Sequence, residues 1–300
     1  MAATRSVAVT GATGLVGAAL VPALRAQGWT VLTVGRDARA NVRWDPAASA
    51  LDAPALNGVE AIIHLAGSAI GERWSPARRR AILESRVQGT TLIANAACSM
   101  PVPPRVMVSA SAIGVYGDRG DEILSEASAA GAGYLASVCT AWEGAASAAR
   151  DAGIRVVHPR LGVVLAETGG ALAKLLVPFR LGAGGPVGTG QQWMSWISLT
   201  DTVRALIALL DDGGMSGAVN VVAPAPVPNA EFSKTLGRVL HRPAVLPLPA
   251  FALELAFGEM ARETLLASQR VEPSRLVAAG FKFEHASLAA ALRAELGMDS

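Results

Sequence analysis

The segment Val7-Ala-Val-Thr-Gly11-Ala-Thr-Gly14-Leu-Val-Gly17 constrains the fold more than any other stretch of this 300-residue chain. A short β-branched run ends at a glycine, and an apolar helical pattern from Leu15 to Ala26 follows at once. In such a turn Gly11 permits the tight strand-to-helix reversal. Gly14 lets the backbone approach a pyrophosphate, and Gly17 lets the helix lie close to the strand. The backbone of Thr13, Leu15 and Val16 then presents amides to an anion, with the helix dipole behind them. Strand, glycine turn and helix in this order predict a dinucleotide-binding α/β fold.

The pattern repeats along the chain. Strands are expected at Thr30–Val34, Ala61–Leu65, Arg105–Ser109 and Arg155–His158, and helices at Pro76–Ala97 and through Ala136–Arg150. Leu199–Leu210 and Ala218–Val222 resume the alternation after a glycine-rich interruption. Apolar strands joined by helical crossovers predict a Rossmann-like, doubly wound parallel sheet covered on both faces. The expected organisation is a nucleotide-binding lobe from 1–165 plus 199–224, and a smaller, helix-rich C-terminal lobe from 166–198 plus 225–300.

The end of the second strand, Val31-Leu-Thr-Val-Gly35-Arg36-Asp37, bears on the choice of cofactor. An acidic residue there would bind the ribose 2′-hydroxyl of NAD. Gly35 and Arg36 stand there instead, and a guanidinium suits a 2′-phosphate. The expectation is NADP(H), with Asp37, one place late, as the feature pointing the other way.

Composition narrows the classes further. With 26 basic and 24 acidic residues the net charge is +2, and no basic run accompanies it, so a nucleic-acid partner is not expected. Cys98 and Cys139 are too few for a disulfide framework, and His64, His158, His241 and His285 lack metal-ligand spacing. The most apolar window, Val245–Ala261, is short and broken by Pro247, Pro249 and Glu254. Met1–Ser6 leaves no room for a signal peptide before the first strand. A cytoplasmic protein with no membrane partner and no metal is expected.

Several segments together resemble one family. The Gly11/Gly14/Gly17 spacing, His64-Leu-Ala-Gly67, Ser109-Ala-Ser111-Ala-Ile-Gly-Val-Tyr-Gly117 and Arg86-Val-Gln-Gly-Thr90 resemble an extended short-chain dehydrogenase/reductase. Gly169-Gly-Ala-Leu-Ala-Lys174, Gln192-Trp-Met-Ser-Trp-Ile197, Gly258-Glu-Met260 and Gln269-Arg-Val271 narrow this to an atypical, sugar-nucleotide epimerase-like family, sometimes labelled cell-division inhibitor. The resemblance implies an NADP-binding lobe, with Leu65, Ala66, Gly67, Arg86, Ser109 and Arg160 joining the glycine turn around the cofactor. It implies Ser111 and Tyr134 in the catalytic positions, and a homodimer through the long helices. The motif's lysine, four residues after the tyrosine, is here Val138, so the Tyr-x-x-x-Lys pair that lowers a phenol's pKa is absent. Arg86, in place of the motif's asparagine, is a candidate substitute cation. Lys174 and Arg180 in the second lobe are candidates to meet an acidic substrate. The sequence thus supports an NADP(H)-dependent oxidoreductase or epimerase on an unidentified small molecule. Its alternative is a catalytically silent, cofactor-binding regulatory protein.

Overall fold

In the computed structural model, residues 5–298 are described; Met1–Thr4, on which the expectation about a signal peptide partly rests, lie outside them. The chain opens with β1 (Ser6–Thr10), α1 (Leu15–Ala26) and β2 (Thr30–Gly35). Two short strands then follow, β3 (Val42–Asp45) and β4 (Ala50–Leu51), before β5 (Ala61–His64) and the long helix α2 (Pro76–Cys98). Next come β6 (Val106–Ser109), β7 (Ser111–Ala112), β8 (Ile123–Leu124), α3 (Tyr134–Gly144), α4 (Ser147–Asp151) and β9 (Arg155–Leu161). Then follow β10 (Val163–Leu165), α5 (Gly170–Arg180), β11 (Trp193–Met194) and β12 (Trp196–Ser198). After α6 (Leu199–Asp211) and β13 (Gly217–Val221) the chain ends with β14 (Val227–Pro228), α7 (Asn229–Val239), α8 (Ala250–Phe257), β15 (Arg270–Val271), α9 (Ser274–Ala278) and α10 (Leu288–Glu295).

The main sheet runs β13-β9-β6-β5-β1-β2-β3-β4, with β7 pairing β9. Every pairing in it is parallel except β3 with β4. Strand order reverses direction between β1 and β5, so the crevice at their carboxyl ends is the place where this architecture binds ligands. One sheet face packs Val7, Val9, Ile63 and Val108 under α1 and α6. The other packs Ala8, Ile62, Met107 and Val156 with Ile93 and Ala97 of α2. Side chains alternate along a strand, so Thr10, His64, Ser109 and His158 follow Ala8, Ile62, Met107 and Val156 onto the α2 face. All four are buried. The register aligns Thr10 with His64 and His64 with Ser109, making a polar row across the strand ends.

A second core gathers Leu172, Leu176 and Phe179 of α5, Trp196 of β12, Phe232 and Leu236 of α7, and Leu292 of α10. Not all of the C-terminal chain joins it. Arg270 and Val271 pair with β8, and Leu276, Phe281 and Phe283 pack onto the α1/α6 side of the main sheet. Three expectations from the sequence are corrected. The edge strands β3 and β4 were not foreseen, the helix through Ala136–Arg150 is divided into α3 and α4, and β9 continues to Leu161, so Arg160 is a strand residue. No helix among the described residues is long and apolar enough to cross a membrane, and none of their His, Cys, Asp and Glu side chains form a metal-like cluster.

Candidate functional site

The glycine turn is shaped by close approach. Gly11 has φ +67, and a Cβ on it would stand 2.9 Å from the Ala66 nitrogen and the Leu65 carbonyl carbon. A Cβ on Gly17 would lie 2.1 Å from the Gly11 oxygen, so the helix can pack here only because that atom is missing. Gly14 precedes α1 with no side-chain cap, and the first turn of α1 carries no acidic residue. Thr13 and Gly14 are exposed. Free amides at a positive helix end, uncapped by any side chain, form a receptor for an anion. Val16 packs on the main core, while Leu15 lies against the Gly169-Gly170 turn that starts α5, joining the glycine turn to the second lobe.

The Thr10 hydroxyl braces the neighbouring strand end. It accepts from the amides of Leu65 (3.1 Å) and Ala66 (3.3 Å), so its own proton goes to His64 Nδ1 at 2.8 Å. His64 therefore carries its hydrogen on Nε2, which has no partner. Burial pulls the His64 pKa down to about 4.

At the end of β2, Asp37 is paired with Arg39 on the surface. Its carboxylate accepts from the backbone (2.8 Å) and from the guanidinium of Arg39 (2.7 and 3.1 Å), which together hold its pKa far below the usual range. Arg36 is exposed, with no hydrogen bond or ion pair among the described residues. Arg43, also exposed, is the register partner of Gly35 across the unforeseen β3. Arg36 thus follows Gly35 in the chain, and Arg43 pairs with it across the sheet. Arg43 could not be found from the glycine turn, because its position depends on an edge strand of only four residues.

Ser111 and Tyr134 share no hydrogen bond. Ser111 Oγ donates to Glu143 Oε1 at 2.7 Å. Glu143 also receives Arg160 Nε and Nη2 at 2.8 and 2.9 Å. Burial pushes the Glu143 carboxyl up, but these hydrogen bonds outweigh it and leave the pKa lowered. Arg160 Nη1 donates to Tyr116 Oη at 3.0 Å, and Tyr116 donates to Asn220 Oδ1 at 2.7 Å. The Arg160 fork, expected beside the cofactor, is filled here by a carboxylate inside the protein. Tyr116, fully buried in this network, is structural.

Tyr134 begins α3, about 13 Å of helix rise from Glu143, and its hydroxyl donates to the Arg79 carbonyl. The Arg79 guanidinium lies 4.3 Å from the ring centroid, and Trp74 meets the ring edge-on at 5.1 Å. Burial pushes the phenol pKa up, and the charges of Arg79 and Arg86 oppose that only in part. Val138 is buried at 1% exposure, so the motif's lysine position is a core position here. Cys139 is buried with its thiol pushed up to about 11, which makes it inert.

Arg86 is half-buried beneath the β5 loop. Nη1 donates to the Ser68 and Ile82 carbonyls, the guanidinium sits 4.8 Å from the Trp142 ring, and a Cβ on Gly67 would come within 3.2 Å of its Cζ. Nearby, Ser109 Oγ, Thr90 Oγ1, Trp142 Nε1 and His158 Nε2 are buried without partners. The second lobe reaches the same region. Lys174 Nζ donates to the Gly71 carbonyl at 2.8 Å, Glu259 pairs with Arg79 at 2.9 Å, and Glu263 accepts from the Tyr134 and Leu135 amides at 2.7 Å each. Trp196, by contrast, is fully buried in the second core, and Arg180 pairs with Glu167 on the surface.

The NAD-dependent epimerase/dehydratase family profile matches residues 7–222, and a domain of unknown function, DUF1731, matches residues 248–295. The chain belongs to this epimerase/dehydratase family. An epimerase family protein of Mycobacterium bovis is 43% identical over 290 residues, covering 95% of this chain and 96% of that protein. The structure of human epimerase family protein SDR39U1 with NADPH superposes with a TM-score of 0.91 at 34% identity, over 98% of this chain and 99% of that one. A nucleoside-diphosphate sugar epimerase of Corynebacterium glutamicum gives 0.82 at 37%, over 98% of this chain and 58% of its own longer one. The glycine turn expected of the family is present here, and Val138 stands four residues after Tyr134.

Proposed function

We propose that the chain binds NADP(H) and acts as an oxidoreductase or epimerase on a small molecule held between its two lobes. The carrying observation is the pairing of a bare α1 N-terminus with two free guanidiniums beside Gly35. The amides around Thr13, Leu15 and Val16 suit the pyrophosphate, and the shapes of Gly11, Gly14 and Gly17 admit it. Arg36 and Arg43 suit a 2′-phosphate, and Asp37 is engaged by Arg39. The NADPH in the human relative's structure supports the same reading. Leu65–Gly67 would run beside the dinucleotide, which when bound supplies a hydride acceptor or donor. The name of the Corynebacterium glutamicum relative makes nucleotide sugars the first substrates to try.

Tyr134 would give or take the proton at the substrate oxygen, after its hydroxyl leaves the Arg79 carbonyl. Ser111, with its proton committed to Glu143, would accept a hydrogen bond from a substrate hydroxyl. The test is a screen of nucleotide sugars with NADPH and NADP, followed by Tyr134→Phe. Turnover should fall at least a hundredfold in the variant, and undiminished turnover would remove Tyr134 from the chemistry.

Burial of Val138, and the commitment of both hydroxyl protons to protein acceptors, favour a second reading: a cofactor-binding regulator without catalysis. It predicts NADPH binding, no turnover, and partner affinity that changes with NADPH occupancy. A cytoplasmic location and a homodimer along α2 belong to the proposal as well, checked by fractionation and light scattering.

A further inference from the structure

A guanidinium carries five N–H donors in one plane. Arg86 uses Nη1 on the Ser68 and Ile82 carbonyls at 3.0 and 3.1 Å, and these bonds, with the Trp142 face, fix the plane. The Nε and Nη2 hydrogens find no acceptor among the described residues, and these atoms are not sealed from solvent. No carboxylate compensates the charge, and burial pulls the pKa of Arg86 down. A desolvated cation with its bidentate edge free and its plane held is prepared for an oxyanion.

The surroundings agree. Lys174, from the second lobe, also lacks an acidic partner and donates to Gly71, so two uncompensated cations border the Gly67–Gly71 loop from opposite lobes. The nearby acids are occupied: Glu143 by Arg160, Glu259 by Arg79, and Glu263 by the start of α3. The cofactor's own phosphates have receptors elsewhere in the reading above, at the α1 amides and at Arg36 and Arg43. Arg86 instead neighbours Trp142 on α3, and its charge acts on Tyr134.

We propose that Arg86 and Lys174 form the receptor for an oxyanion of the substrate, a carboxylate or a phosphate, gripped bidentately by the Nε–Nη2 edge of Arg86. The proposal rests on the cofactor reading, because that reading leaves this edge to the substrate.

The test is calorimetric titration of the full chain with malonate and with inorganic phosphate, run with and without saturating NADPH. Parallel NADPH titrations report the cofactor reading separately. At least one probe should bind. Arg86→Met should weaken that binding at least tenfold, Arg86→Lys should restore part of it, and Lys174→Met should weaken it severalfold. NADPH affinity should change less than threefold in all three variants. Loss of NADPH affinity in Arg86→Met in proportion to the loss of probe binding would overturn the proposal, placing the edge on the cofactor. Equal probe binding by wild type and Arg86→Met, or no binding of either probe, would also overturn it. Probe binding that depends on Arg86 in a chain that does not bind NADPH would uphold the anion receptor and sink the cofactor reading instead.

Discussion

At the residue scale, His64 links the cofactor cleft to pH. Its Nδ1 accepts from Thr10, the hydroxyl that also holds the Leu65 and Ala66 amides, so a proton on Nδ1 would displace the brace behind the glycine turn. The folded-state pKa is about 4 against an ordinary 6.5, so the unfolded chain binds the proton first as pH falls. The His64 contribution to stability should be flat above pH 6.5, drop by about 3 kcal/mol between pH 6.5 and 4, and be constant below, where the lowered carboxyls of Asp37 and Glu143 add a further loss. Urea unfolding across that range checks this, and His64→Asn should remove most of the slope. His158, pushed the same way by burial, carries the remainder. The Glu143–Arg160 pair gives a second prediction, since its side chains are only 17% and 11% exposed. Glu143→Gln would leave the arginine without a counter-charge, at a cost of about 3 kcal/mol in the same unfolding assay. The composition of this network could not be read from spacing. Glu143, Arg160, Tyr116 and Asn220 are far apart in the chain; the strand register pairs Arg160 with Ser111 and Asn220, while α3 and the turn after β7 bring Glu143 and Tyr116 to it.

At the scale of elements, α3 is held from outside. Its N-terminus has no local side-chain cap, and Glu263, in the short π-helical turn Ala261–Leu265, accepts the amides of Tyr134 and Leu135 instead. A carboxylate at a helix N-terminus is favoured by hydrogen bonding and by the helix dipole. Glu263→Gln should destabilise the protein by about 1 kcal/mol, read as a shift in the urea midpoint. A midpoint equal to wild type would mean that solvent caps α3 as well as Glu263 does. The elements with strong signals were legible in the sequence. β1, α1, β5, α2 and β6 combine apolar runs or long periodicity with glycine or proline punctuation, and they stand within a residue or two of expectation. β3 and β4 were not legible, since strands of four and two residues exist only through edge pairing with β2 and with each other. Arg43 was hidden for the same reason.

At the scale of the molecule, polar contacts tie the segment after β5 to α5, to α8 and to Glu259. Arg73 donates to the Leu255 and Ala256 carbonyls at the end of α8, Lys174 to Gly71, and Arg79 pairs with Glu259. All three lie beside the loop and helix start that follow β5, so the second lobe is fastened near the crevice where strand order reverses. The glycine turn, the end of β2 and the missing lysine were legible in the sequence because each is local. Arg86 and Lys174 were each named from the sequence, but their shared border on the Gly67–Gly71 loop and the trans cap on α3 were not legible, since both join distant segments. A ligand that binds only the folded chain stabilises it, and NADPH at a hundred times its Kd should add about 2.7 kcal/mol. The most direct test of the account is a fluorescence titration of the purified protein with NADPH and, in parallel, NADH, repeated on Arg36→Ala and Arg43→Ala. The account predicts blue-shifted nicotinamide emission with NADPH, at least tenfold weaker binding of NADH, and a loss of that preference in both variants. Equal affinity for the two cofactors in the wild type, or binding of neither, would contradict it.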